Sequence, residues 1–167
     1  MRPLQGEPRA GERERFGTLV MEHSRSMFRA ARAILDSDAD AEDAVGEAVL
    51  LAWRSFTALR RPEAARAWLL KITVNCARSQ RRRQRRVIYM EDLGERSGLW
   101  EEPVDTLWDA VGRLPETHRI IVTLFYYEDM TIAQIAQLLH LPQGTVKSRL
   151  SRAREKLRIL LEEEGQI

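Results

Sequence analysis

Apolar residues recur along most of this chain at the three-and-four spacing of helices, and signals for strands are weak throughout. Phe16, Leu19, Val20, Met27, Ala30, Ala31 and Ile34 can share one side of a helix over residues 16–35. The Asp36-Ser37-Asp38 turn follows. A second helix, over about residues 40–56, buries Ala41, Ala44, Val45, Ala48, Val49, Ala52 and Trp53. Its acidic residues suit the positive end of a helix. A looser stretch containing Arg60-Arg61-Pro62 leads to a third helix over residues 64–86. The first part of that helix carries Trp68, Leu69, Ile72 and Val74 toward a core. Its second part is nearly all arginine and glutamine.

Residues 87–103 break the rhythm with Gly94, Ser97, Gly98 and Pro103, and carry Glu91, Asp92, Glu95, Glu101 and Glu102. They read as an acidic linker. Leu107, Trp108, Val111 and Leu114 follow, and Pro115 then opens a helix made apolar by Ile120, Ile121, Leu124 and Phe125. Residues 131–161 give a short apolar helix, a tight turn and a longer helix with two unlike faces. Thr131 suits the N-cap of the short helix, with Gln134 in the place of the usual Glu of a capping box. Leu141-Pro142 ends it, since proline disfavours the α region for the residue before it. His140 stands near the turn, where a left-handed backbone is tolerated better by histidine than by most side chains. Val146, Leu150, Ala153, Leu157 and Leu160 then mark one buried stripe.

The expected fold is therefore all-α. Two small helical domains, residues 16–86 and 104–167, are joined by the acidic linker at 87–103, and the second contains a helix-turn-helix. Residues 1–15, polar and rich in Gly, Pro and Arg, are expected to form a disordered lead. Lobes of roughly 60 to 70 residues are marginal by burial alone, so support from a partner is expected.

Charge sharpens the picture. The formal net charge is only +2, but its distribution is uneven. Arg78, Arg81, Arg82, Arg83, Arg85 and Arg86 crowd together, while Asp36, Asp38, Asp40, Glu42, Asp43 and Glu47 form an acidic block. Segregated blocks suggest one anionic and one cationic partner. Opposite its apolar stripe, the last helix carries Lys147, Ser148, Arg149, Ser151, Arg152 and Lys156. A helix-turn-helix places such a face in the DNA major groove, where Arg and Lys reach guanine edges and phosphates. The alternative is a solvated helix in an ordinary bundle.

Catalysis finds little support. His23, His118 and His140 lack metal-ligand spacing, no glycine-rich phosphate loop occurs, and the acidic block lacks the pattern of a calcium loop. No enzyme activity, metal or cofactor is expected. Cys76 is the only cysteine and lies in an apolar helical run, as an inert core thiol would. There is no apolar run of membrane-spanning length and no signal-peptide core, so membrane insertion is not expected and a cytoplasmic location is.

The chain resembles the extracytoplasmic-function (ECF) group of bacterial RNA polymerase sigma factors. The likeness is carried by DADAEDAVGEAVLLAWRSF at residues 38–56, AWLLKITVN at 67–75, LPETHR at 114–119, and residues 131–158. The resemblance implies a sigma-two domain that binds core polymerase and the minus-ten promoter element, and a sigma-four domain that reads the minus-thirty-five element and sits on the polymerase flap. It implies that Asp40, Glu42, Asp43 and Glu47 dock on the polymerase clamp helices. The loop at residues 57–66 resembles the family's pocket for an unstacked minus-ten base, and an ordinary polar connection would have the same composition. Asn75, Arg78, Arg81, Arg82 and Arg85 would track minus-ten DNA, through phosphates more than bases. Thr145, Lys147, Ser148, Arg149 and Arg152 would contact the minus-thirty-five element, with Ser148 and Arg149 best placed for base edges. An inhibitory anti-sigma factor is a further implied partner. Gly46 departs from the family pattern, standing where Gln is common.

Two rival readings are an autonomous helix-turn-helix transcriptional regulator that binds DNA without polymerase, and an anti-sigma-like helical scaffold. Half-site symmetry in the target would favour the first. The second leaves the arginine face without a role.

Overall fold

A computed structural model of the chain describes residues 10–86 and 106–165. Among these the regular structure is helical, with no strand. Helix α1 spans Ala10–Ile34, α2 Asp38–Ser55 and α3 Ala65–Arg86. Two short 3₁₀ turns, Phe56–Ala58 and Pro62–Ala64, join α2 to α3. The second part holds α4 at Thr106–Gly112, α5 at Glu116–Val122, α6 at Ile132–Leu139 and α7 at Gln143–Glu163. The expected linker at 87–103 lies outside the described residues.

One expectation is corrected at the N-terminus. Residues 10–15 are helical and not a disordered lead. Glu12 sits in the first turn, where the helix dipole favours an acid. Phe16, buried one turn on, anchors that end against Trp53 at 5.0 Å and Phe56 at 5.2 Å between ring centroids. Aromatic contacts of this kind add to the burial of apolar area.

The caps explain why the elements start and stop where they do. Ser37 accepts a hydrogen bond from the Asp40 amide at 3.1 Å and starts α2. Thr131 and Gln134 form a full capping box on α6, with bonds of 3.1 and 2.9 Å. His140 ends α6 in the left-handed region, at φ 56° and ψ 45°. Leu141 N–H then reaches the Ala136 carbonyl oxygen at 3.0 Å, closing the turn before Pro142. One feature breaks the helical rule. After α5 the chain widens into a π-turn at Thr123–Tyr127.

α1, α2 and α3 pack pairwise as one lobe, and α5 packs with α7 and α6 with α7 in the other. The lobes are not separate. α1 lies against α5 and the π-turn, and the buried apolar residues of both lobes form one connected cluster.

Candidate nucleic-acid interface

Helix α7 presents the two faces that its periodicity predicts. Val146, Leu150, Ala153 and Leu157 are buried. Lys147, Ser148, Ser151, Arg152 and Lys156 are exposed, and Thr145 and Arg149 are half-buried. Ser148 Oγ donates to the Thr145 carbonyl oxygen at 3.1 Å, a local bond that it can exchange for a base edge. The α6–α7 turn therefore offers a row of donors on a rigid, capped support.

On α3 the structure divides the arginine run that the sequence shows as one block. Asn75 and Arg82 are exposed, and they share a stripe at helical spacing with Lys71 and Arg86, which are also exposed. Lys71 belongs with the candidates. Its position four residues before Asn75 was the available signal.

The other candidates turn toward the second lobe. Arg78 Nη1 donates to the Leu139 carbonyl oxygen of α6 at 3.4 Å. Arg81 binds Asp36 at 2.5 Å and Glu116 at 3.4 Å, and Arg85 binds Glu116 at 3.2 Å. The hydrogen bond to Asp36 raises the pKa of Arg81 and keeps it charged. Burial lowers that of Arg78, helped by the nearby positive charges of Arg82 and Arg149 and opposed by Glu116. Two basic helices, α3 and α7, thus feel one another's charge.

The acidic block does not wait wholly free for a cationic partner. Asp36 pairs with Arg81, and Glu47 lies 3.7 Å from Arg83. Asp40, Asp43 and Glu47 still share one stripe of α2, and Asp43 is exposed. Glu42, 100° around the helix from Asp43, falls on another flank. The stripe continues into Leu50 and Leu51, 62% and 41% exposed. These leucines were missed because an apolar residue in an apolar helix reads as core. Exposed together beside carboxylates, they form an apolar patch with an acidic border.

The loop at residues 57–66 borders an open cavity of about 460 Å³ lined by Phe56, Leu59, Arg60, Pro62, Leu19 and Thr18, among others. An aromatic wall and a guanidinium suit a stacked base. Glu14 and Glu22 also line it and would repel phosphate.

Also missed was Glu128, whose side chain is 0% exposed and receives Arg29 at 3.0 Å and Arg66 at 2.7 Å. Among the described residues no group of His, Cys, Asp and Glu is placed to hold a metal ion, and no helix is long and apolar enough to cross a membrane. Cys76 is buried, and that burial, with Glu47 nearby, pushes its thiol up to about 11. Such a thiol is a poor nucleophile.

A basic helix-turn-helix on one lobe and a basic helical stripe on the other define a DNA-binding protein with two separate reading elements. Comparison with known proteins makes the class specific. Residues 19–87 match the family "Sigma-70 region 2", and residues 105–157 match "Sigma-70, region 4". The chain is 34% identical to the ECF RNA polymerase sigma factor SigM of Mycobacterium tuberculosis, over 91% of this chain and 80% of the relative. It is 35% identical to SigL of the same species, over 93% and 94%. It is 31% identical to the RNA polymerase sigma factor SigV of Bacillus subtilis, over 88% and 91%. Its fold is similar to that of Bartonella quintana RpoE, solved with the anti-sigma factor NepR. That match has a TM-score of 0.72 at 24% identity and covers 89% of this chain and 98% of the other. CnrH, solved with the cytosolic domain of CnrY, gives 0.62 at 26% identity and 92% of both chains.

The chain belongs to the ECF family of RNA polymerase sigma factors. It is a specificity subunit that binds core polymerase and directs initiation at promoters.

Proposed function

We propose that the two reading elements divide the promoter as follows. α7 enters the major groove of the minus-thirty-five element, with Ser148 and Arg149 at base edges and Thr145, Lys147 and Arg152 on the flanking backbone. Asn75 and Arg82, with Lys71 beside them, take the minus-ten strand, and Arg78, Arg81 and Arg85 join them once released from the second lobe. The loop at 57–66 receives an unstacked base, which needs a fitted pocket to offset roughly a few kcal/mol of unstacking. Asp40, Asp43 and Glu47 dock on core polymerase around Leu50 and Leu51, and Glu42 assists from the flank. The domains that carry these roles are residues 16–86 and 104–167.

The observation that carries this reading is the exposed donor row of α7 on its capped turn, paired with the exposed Lys71–Asn75–Arg82 stripe of α3. The chain performs no chemistry of its own in this scheme, since bond formation belongs to the polymerase. It works where polymerase and promoter are, in the cytoplasm, under restraint by an anti-sigma factor.

Run-off transcription with purified core polymerase and a promoter library tests the scheme. The expected result is initiation that depends on this protein and selects two sequence elements. Tight binding to duplex DNA without binding to core would support the autonomous regulator instead.

A further inference from the structure

Cations from two helices of different lobes meet beside α5. On α7, Arg149, Arg152 and Lys156 follow one another at helical spacing and share the flank next to α5. His118 lies buried on α5 and feels all three of their charges. Arg78 of α3 reaches the same place from the first lobe. Its Nη1 donates to the Leu139 carbonyl oxygen at 3.4 Å, and its charge acts against that of Arg149. The carboxylates nearby are already engaged. Glu116 holds Arg81 and Arg85, and Asp36 holds Arg81 and lies 3.8 Å from Arg119. Glu116 attracts Arg78 without bonding to it. Among the described residues Arg149, Arg152 and Lys156 have no ion-pair partner.

We propose that this seam is a binding site for a chain of closely spaced phosphates, as in inorganic polyphosphate or the tail of a nucleoside polyphosphate. Arg78 grips the chain from α3, and Arg149, Arg152 and Lys156 grip it from α7. Like charges held together cost free energy until an anion answers them. Guanidinium groups take phosphate oxygens two at a time, and the Lys156 ammonium adds a point charge. His118 gives a second sign that the seam lacks a partner. Its Nδ1 is buried and finds no hydrogen-bond partner among the described residues.

The seam favours a slender, extended ligand. Arg78 and Arg149 are half-buried. A flexible phosphate chain reaches such side chains, whereas a duplex carries its phosphates on a rigid convex surface. The row from Arg149 to Lys156 runs about 10 Å along α7, the reach of several linked phosphates. A single orthophosphate meets only part of it. Arg149 and Arg152 are also the minus-thirty-five contacts proposed above. On that reading the phosphate chain and the promoter element compete for them, but the site itself does not depend on that reading.

Isothermal titration of the full chain tests the site, with orthophosphate, inorganic tetraphosphate and adenosine tetraphosphate at one ionic strength. Inorganic tetraphosphate is expected to bind about ten-fold more tightly than orthophosphate, or better, since it meets cations of both helices. Equal affinity for the two tetraphosphates makes the phosphates the whole ligand. Tighter binding of the adenosine compound adds a nucleoside contact at the same site. Lys156→Gln, at an exposed position, should weaken tetraphosphate binding about ten-fold, the loss of one charge-assisted hydrogen bond. Arg78→Gln, with its helix content checked by circular dichroism, should do the same. Should Arg78→Gln fail to fold, Arg82→Gln, exposed one turn along α3, answers in its place. Arg13→Gln should change nothing. Arg13 is exposed and lies about 30 Å along α1 from Ala33, where α5 touches that helix. An equal loss in Arg13→Gln reduces the binding to general charge attraction and overturns the site. Tetraphosphate binding no tighter than orthophosphate overturns it too. A loss on α7 with none on α3 puts the ligand on one helix and removes the seam.

Discussion

Arg119 caps the C-terminal end of α1 from the other lobe, its Nε donating to the Ala33 carbonyl oxygen at 2.6 Å. The last carbonyls of a helix have no partner within it. Arg119 supplies one to α1, and its Nη1 reaches the Gly112 and Leu114 carbonyl oxygens at 3.4 and 3.3 Å. Its side chain is 12% exposed, so water is a poor substitute. Arg119→Met is expected to lower stability by about 2 kcal/mol, the penalty for leaving buried acceptors unpaired. Urea unfolding followed by circular dichroism measures it. Arg119→Lys should recover only part, because a single ammonium cannot span acceptors set for a planar fork.

His118, the preceding residue, responds to pH. It is buried on α5 against α7, and its Nδ1 finds no hydrogen-bond partner among the described residues. Burial lowers its pKa below the ordinary 6.5, and the positive charges of Lys156, Arg149 and Arg152 on α7 lower it further. The folded protein therefore favours the neutral ring. The resulting stability is fully present above pH 6.5 and is lost as the pH falls through the depressed folded value, because the unfolded chain takes up the proton first. Unfolding midpoints measured between about pH 7.5 and pH 5 should fall for the unaltered chain and fall less for His118→Gln. Parallel curves for the two would remove His118 as the source.

Gly46 lies in the interior of α2, is exposed, and has no atom within 4 Å of where a Cβ would sit. Gly46→Ala should stabilise the fold by about 1 kcal/mol through helix propensity alone. Asp43→Arg, one turn away on the exposed acidic stripe, should leave the melting temperature nearly unchanged and weaken the affinity for core polymerase. Loss of affinity in both variants would place Gly46 inside the docking contact. Loss in neither would move the contact off this stripe.

How much of this was legible depends on how far apart the interacting residues stand. Local periodicity reveals the buried stripes of α2 and α7, and the caps at Thr131 and Gln134 and the left-handed His140 follow from residue chemistry within one turn. Glu128 was invisible because its partners lie 99 and 62 residues earlier. In sequence it is one more acid after a pair of tyrosines. The arginine run showed its charge but not its division. Helical geometry sends Arg82 to solvent and Arg81 toward Asp36 and Glu116, and only the packing of the second lobe tells the two apart. Arg119 sat within a recognised stretch, yet nothing in that stretch says that its acceptor is Ala33.

The proposed scheme gives Arg149 and Arg152 different tasks on α7, base reading and backbone holding. Arg152 is exposed and stands on the solvent face, which suits the phosphate contact proposed for it. Arg149 is half-buried, close enough to His118 and Arg78 to lower the pKa of both. Half-buried at the root of the recognition face, its guanidinium is placed to address a base edge in the proposed scheme. Arg149→Ala should reduce binding to the preferred minus-thirty-five element by 1–3 kcal/mol, roughly 5- to 150-fold, with little effect on unrelated sequence. Arg152→Ala should weaken binding to all sequences alike and reduce the salt dependence by about one counterion. Fluorescence anisotropy of the polymerase holoenzyme on matched and scrambled elements, at several salt concentrations, distinguishes them. If Arg149→Ala weakens both elements equally, Arg149 holds phosphate and the base-reading role passes to Ser148.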